Sequence, residues 1–173
     1  MVIVKEEYDI LSEAEKSFLQ KKCENFVATN KPFNNVGAVN YFYREFLDND
    51  IEEVIGIRNK IEKYVIESLS DESLIIDEKI WINKIDTNSN KDDGLHYDKS
   101  LVSCVVYLND DFEGGEFQYV DNDDKVVKIQ PKKWKYVIMN NRVKHGVLPV
   151  ESGVRYSLVF FFTKKHKNKK TII

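Results

Sequence analysis

A chain of 173 residues, 42% hydrophobic and 32% charged, has room for one domain with a real core and an ordinary soluble balance. Its net charge of −3 gives no general reason to expect nucleic-acid binding, and no apolar run approaches a membrane span. Cys23 and Cys104 cannot make a disulfide framework, and acidic residues come too early for a signal peptide, so a reducing compartment, the cytoplasm, is expected.

Residues up to about 70 read as mainly helical support. Ser12-Glu13-Ala14-Glu15 is a capping box, with Ser12 as N-cap and Glu15 reaching back to its amide. The helix it opens carries Phe18, Leu19, Lys22, Cys23, Phe26 and Val27 as a stripe, on which Cys23 reads as core rather than catalyst. Residues 36–47 are ambiguous, and Asn40 to Arg44 fits a strand or an ordered loop. A second helix is expected from about Asp50 to Leu69, with Ile51, Val54, Ile55, Ile61, Tyr64, Val65 and Leu69 inward.

Strands follow near 79–85, 94–98, 101–109, 115–120, 125–130, 134–140, 143–149 and 154–163. Gly114-Gly115 and the acidic stretch Asp121 to Asp124 mark turns. Two helices before about eight short strands predict an α+β, mainly β fold, a double-sheet jelly roll with helices on one outer face. The whole chain, 1–173, then reads as one domain, with its β core at 79–163 and a basic tail at 164–173. That tail, with His166 in it, reads as a solvated end.

The chemistry concentrates in His96-Tyr97-Asp98, His145 and Arg155; two of the three histidines fall in this pattern. In a strand, residues two apart share a face, so His96 and Asp98 point inward and Tyr97 away. His145 is available as a third ligand from another strand. Two imidazoles and one carboxylate suit a non-haem Fe(II) site with three open positions, whereas a structural zinc site wants four protein ligands. The bland alternative is a chance His-x-Asp pair and a core histidine; His145-Gly146 and Arg155 following in order favour the metal.

Arg155 and Ser157 share one face of the last strand, where a guanidinium and a hydroxyl suit the distal carboxylate of 2-oxoglutarate. Val154, Tyr156, Leu158, Phe160 and Phe162 take the other face, under the helices. In strand 101–109 the same alternation sends Ser103, Val105 and Tyr107 inward and Cys104, Val106 and Leu108 toward the helices. Tyr107 reads equally well as a second donor to that carboxylate or as a core tyrosine.

Three runs carry a family resemblance: LVSCVVYLNDDFEGGEF at 101–117, IQPKK at 129–133 and HGVLPVESGVRYSL at 145–158. In order and spacing they resemble the prolyl-hydroxylase-like 2-oxoglutarate/Fe(II) dioxygenases over roughly residues 79 to 163. The resemblance implies a double-stranded β-helix, with His96, Asp98 and His145 as iron ligands. It implies Arg155 as partner of the distal carboxylate, as in hypoxia-type members where collagen-type members use lysine, and Tyr107 as a further contact. It brings Fe(II), 2-oxoglutarate and dioxygen as cofactors, with ascorbate as candidate reductant. It also brings hydroxylation of an unactivated C–H bond with release of succinate and carbon dioxide; Asp98 favours hydroxylation over halogenation.

Two positions depart from the family pattern. Asn83 or Lys84 stands where an upstream tyrosine is common, and Trp134 replaces the glycine after Pro-x-x. Asn40, Tyr41, Arg44, Asn83 and Trp134 are candidate substrate or lid residues, and the polar stretch Asp86 to Gly94 is a second candidate lid. Peptidyl proline is the leading substrate by family analogy. A free amino acid or other small metabolite is the alternative, and a non-catalytic 2-oxoglutarate-binding sensor is a reading of another class. A nucleic-acid demethylase is disfavoured, since Phe161 stands where such enzymes carry a second arginine.

Overall fold

The computed structural model describes residues 2–5, 10–28, 43–89, 94–140 and 142–165. The capping box forms as the sequence predicts. Ser12 Oγ accepts from the Glu15 amide at 3.3 Å, and the Glu15 carboxylate accepts from the Ser12 amide at 2.7 Å. This opens α1 (Glu13–Glu24). The same carboxylate meets Lys60 Nζ at 2.6 Å, tying α1 to α2 (Glu52–Leu69). Helix α1 ends earlier than its apolar stripe suggests, because the Asn25 side chain donates to the Lys21 carbonyl and caps it. Phe26 and Val27 therefore lie beyond the helix, and Val27 is 66% exposed. On α2 the buried set is Val54, Ile57, Ile61 and Val65, a strict three-and-four spacing. Ile57 takes the place expected for Ile55, which is 45% exposed.

The strands are β1 (Val2–Lys5), β2 (Tyr43–Phe46), β3 (Leu74–Ile76), β4 (Trp81–Asp86), β5 (Val102–Tyr107) and β6 (Glu113–Gly114). They continue as β7 (Phe117–Val120), β8 (Val126–Ile129), β9 (Tyr136–Asn140), β10 (His145–Val147), β11 (Val150–Ser152) and β12 (Val154–Lys164). The major sheet runs β1-β9-β5-β12-β4-β2, with β3 also on β12; β10-β7-β8 and β11-β6 form the smaller sheets. Short β1 and β3 were not foreseen, and the strand expected at 143–149 is the shorter β10, with β11 starting only after it, at Val150. Residues 94–98 form no strand: their polar sequence offers little to bury, and only His96 pairs, in a single antiparallel bridge with His145.

Alternation along the central strands sorts the two faces of the major sheet. Leu158, Phe160 and Phe162 of β12 join Cys104 and Val106 of β5 against Leu19 and the α2 stripe. A second core, Tyr107, Phe117, Ile129, Val137 and Met139, lies between the sheets. The result is a double-stranded β-helix with helices on one outer face. Among the described residues, no helix is long and apolar enough to cross a membrane. Phe160 has no exposed surface, so Phe160→Ala is expected to lower stability by about 3–5 kcal/mol. The check is the shift in urea midpoint at constant slope.

Candidate metal centre and co-substrate pocket

The bridge between His96 and His145 is made by both backbones: each amide donates to the other's carbonyl, at 2.8 and 2.9 Å. Their rings face each other with centroids 4.7 Å apart. Each ring also reaches a carbonyl through Nδ1: His96 to Gly94 at 3.3 Å and His145 to Val143 at 2.9 Å. Those bonds assign the proton to Nδ1 and leave both Nε2 atoms as acceptors, the form a metal needs. Asp98 completes the group, its two carboxylate oxygens 3.8 Å from His96 Nε2 and 3.4 Å from His145 Nε2. All three ligand atoms lie within 4.8 Å of one another. Tyr97, between them, turns out to solvent at 60% exposure. This donor set fits one divalent ion with open positions, as expected for Fe(II).

Two glycines make the bridge possible. A Cβ on Gly146 would collide with the Gly94 carbonyl oxygen, the atom that orients His96. Gly146→Ala is expected to weaken Fe(II) binding about 10- to 100-fold by turning that ring, as read by metal titration.

A cavity of about 420 Å³ separates the triad from the inner face of the major sheet. Arg155 lines it at 2% exposure, with its guanidinium 5.0 Å from the Tyr107 ring centroid and Nη1 3.4 Å from Ser157 Oγ. Arg155 Nε and the Tyr107 hydroxyl are both buried with no hydrogen-bond partner. A buried cation beside a buried donor, both unsatisfied, marks a place for an anionic ligand. Burial pushes the Tyr107 phenol above its ordinary range against the opposing Arg155 charge, so the hydroxyl keeps its proton and can donate. Gly115, at φ 66°, lets the turn approach the Arg155 stem, where a Cβ would stand 3.1 Å from Cδ.

Registry lays the inner-face residues in rows. Arg44 is opposite Asn83, Asn83 opposite Ser157, and Ser157 opposite Tyr107, across β2, β4, β12 and β5. Arg44 and Asn83 both line the cavity. Lys84 points the other way, its ammonium 5.9 Å from the Phe26 ring, so Asn83 takes the inward position between the two alternatives. Asn40 and Tyr41 lie outside the described residues, as do residues 90–93 of the Asp86 to Gly94 stretch and 166–173 of the tail.

Trp134 requires a correction, since its ring packs against the helix-side core and does not line the cavity. Its φ of 65° is the left-handed conformation that glycine favours, and its amide donates to the Tyr107 carbonyl at 2.8 Å. The turn is therefore kept without glycine, and the indole is directed outward. Trp81 and Phe117 also line the cavity without having been singled out. Period two from Asn83 would have found Trp81; Phe117, stacked on His145 at 5.6 Å, needed the fold.

Comparison with known proteins agrees with this architecture. The profile of the 2OG-Fe(II) oxygenase superfamily matches residues 83–163. Human prolyl 3-hydroxylase 2 is 38% identical over 65 residues, covering 35% of this chain and 9% of that protein. The chain thus spans about a tenth of the length of the curated relatives it matches. A Pseudomonas putida prolyl-4-hydroxylase superposes with a TM-score of 0.75 at 17% identity, over 95% of this chain and 92% of that one. The 2-oxoglutarate-dependent carbocyclase SnoK from nogalamycin biosynthesis superposes with a TM-score of 0.74 at 12% identity, over 94% and 79%. Over residues 83–163 the chain is therefore similar to the 2OG-Fe(II) oxygenase superfamily, and prolyl hydroxylases are among the proteins it resembles in sequence and in fold.

Proposed function

We propose that the protein is an Fe(II)- and 2-oxoglutarate-dependent dioxygenase that hydroxylates an unactivated C–H bond of a peptidyl proline. The observation that carries this reading is the buried Arg155, its Nε without a partner and its guanidinium 5.0 Å from the Tyr107 ring, lining the same cavity as His96, Asp98 and His145. Bound Fe(II), with 2-oxoglutarate and dioxygen, supplies the oxidation that places one oxygen atom on the substrate carbon and releases succinate and carbon dioxide. His96 and His145 would hold the ion through Nε2 and Asp98 through its carboxylate. Arg155 and Ser157 hold the distal carboxylate of 2-oxoglutarate, and Tyr107 donates its phenol proton to it. Val105, Phe117 and Val159 give that cavity apolar walls, which limit water near the reacting atoms. Both cysteines are free, which suits a cytoplasmic setting.

A second reading, a hydroxylase of a free amino acid or small metabolite, is favoured by the cavity's volume of about 420 Å³, within the range of small-molecule sites. The test is to add Fe(II) and 2-oxoglutarate to oxygen-free protein and record the visible spectrum, then admit oxygen with prolyl peptides or free proline and measure succinate. A charge-transfer band and substrate-dependent succinate are expected. A band without turnover on any substrate would leave a 2-oxoglutarate sensor, and iron-loaded protein without a band would overturn the dioxygenase reading.

A further inference from the structure

The floor of the metal cavity continues out to the protein surface. Period two along β12 puts Arg155, Ser157, Val159 and Phe161 on the inner face, and all four line the cavity. The same face runs on to Thr163, which with Phe161 lines an adjoining surface groove of about 610 Å³. Two backbone bonds fix the sides of this groove against the strand. The Leu101 amide donates to the Phe162 carbonyl at 3.1 Å, and the Asp77 amide to the Phe161 carbonyl at 2.8 Å.

The segment between Asp98 and β5 forms one wall. Lys99 lines both the cavity and the groove, is exposed, and makes no ion pair with any described residue. Tyr97 and Leu101 flank it at 60% and 46% exposure, so this rim offers apolar contact on both sides of a free ammonium. The groove also carries Lys164 and Lys165. Lys164 stands 3.9 Å from Asp71, and Lys165 donates to the Glu72 carbonyl at 3.1 Å, a bond that leaves its charge uncompensated. Asp77 is the one carboxylate among the described groove residues. Three ammonium groups against one carboxylate favour an anionic occupant. A free amino acid at the metal would leave groove and rim unfilled, whereas an extended peptide fills both.

We propose that this groove docks the substrate peptide and selects one with an Asp or Glu about two to four residues from the target proline, since Val159 to Thr163 spans about 13 Å, about four residues of extended chain. This rests on the peptidyl hydroxylase reading and names the substrate class for it. Because the groove opens from one end of the cavity, the acidic residue is selected on one side of the proline only.

The experiment uses labelled prolyl peptides with a single Glu or Gln at successive positions on either side of the proline. Anisotropy on the anaerobic Fe(II)- and 2-oxoglutarate-loaded enzyme reads binding, and succinate after oxygen is admitted reads turnover. At the selected position the Glu form is expected to bind about tenfold tighter than the Gln form at low salt, with the difference shrinking at high salt. Lys99→Glu is expected to reverse the preference toward a Lys-bearing peptide while the charge-transfer band is retained. The double variant Lys164→Gln, Lys165→Gln is expected to weaken the preference without touching the segment next to Asp98. Equal binding of Glu and Gln forms at every position overturns the proposal, as does equal preference on both sides of the proline or a preference that survives both variants. Acidic peptides that bind through Lys99 yet are not hydroxylated would leave the docking surface standing and reject proline as the target. Absence of the band in iron-loaded wild type would instead reject the dioxygenase reading, and anisotropy would still report on the groove.

Discussion

Arg155→Met is expected to abolish 2-oxoglutarate binding while making the ligand-free protein more stable. The two effects share one cause. Arg155 is 2% exposed, Nε has no partner, and no carboxylate among the described residues pairs with it. A buried charge without a counter-ion is held at a cost that its ligand removes. Replacing a buried cation with an apolar side chain of similar volume can stabilise by about 1–4 kcal/mol. Removing one partner of a buried pair costs about 3–5 kcal/mol, which corresponds to two to four orders of magnitude in affinity. Tyr107→Phe, which removes one neutral donor, is expected to cost about tenfold. Thermal melts with and without 2-oxoglutarate check both halves. Wild type should gain a ligand-dependent shift that Arg155→Met lacks, and the variant should start from a higher midpoint. A retained shift would place the co-substrate carboxylate elsewhere in the cavity.

Much of this site was legible because period-two alternation is a strong local rule. It put Arg155 with Ser157 and Ser103 with Tyr107 on the inner face, and Cys104, Leu158, Phe160 and Phe162 under the helices, where the structure places them. The capping box at Ser12 was legible for a similar reason, since both of its bonds lie within four residues. What depends on partners far along the chain was not legible. The His96–His145 bridge joins segments 49 residues apart, and residues 94–98 have no alternation to announce it. Arg44 gained its cavity position only through pairing of β2 with β4. Trp134 was singled out because it replaces the glycine after Pro-x-x, but its left-handed backbone keeps the turn and its ring packs against the helix-side core. Ile55 and Ile57 on α2 differ by half a turn in direction, which composition cannot resolve without the sheet they face.

Asp98→Ala is expected to remove metal binding with little change in the metal-free fold. The side chain is 21% exposed, and its carboxylate oxygens face the two Nε2 atoms at 3.8 and 3.4 Å. Both histidines remain aligned, because their Nδ1 bonds go to the Gly94 and Val143 carbonyls and their backbones bridge each other without help from Asp98. The variant therefore isolates the carboxylate. It is the only anionic member of the group, and it faces both imidazoles at once. Changes to groups that merely orient a ligand typically cost 10- to 100-fold in affinity, and removing a ligand outright should exceed that. For wild type, metal at about a hundred times its dissociation constant should add about 2.7 kcal/mol of stability. Asp98→Ala should gain almost none at the same concentration and should release no succinate above background. Unfolding curves with and without Fe(II) under anaerobic conditions make the comparison directly. A metal-dependent gain in the variant equal to that of wild type would mean that the ion binds without this carboxylate, and the proposed ligand set would have to be abandoned.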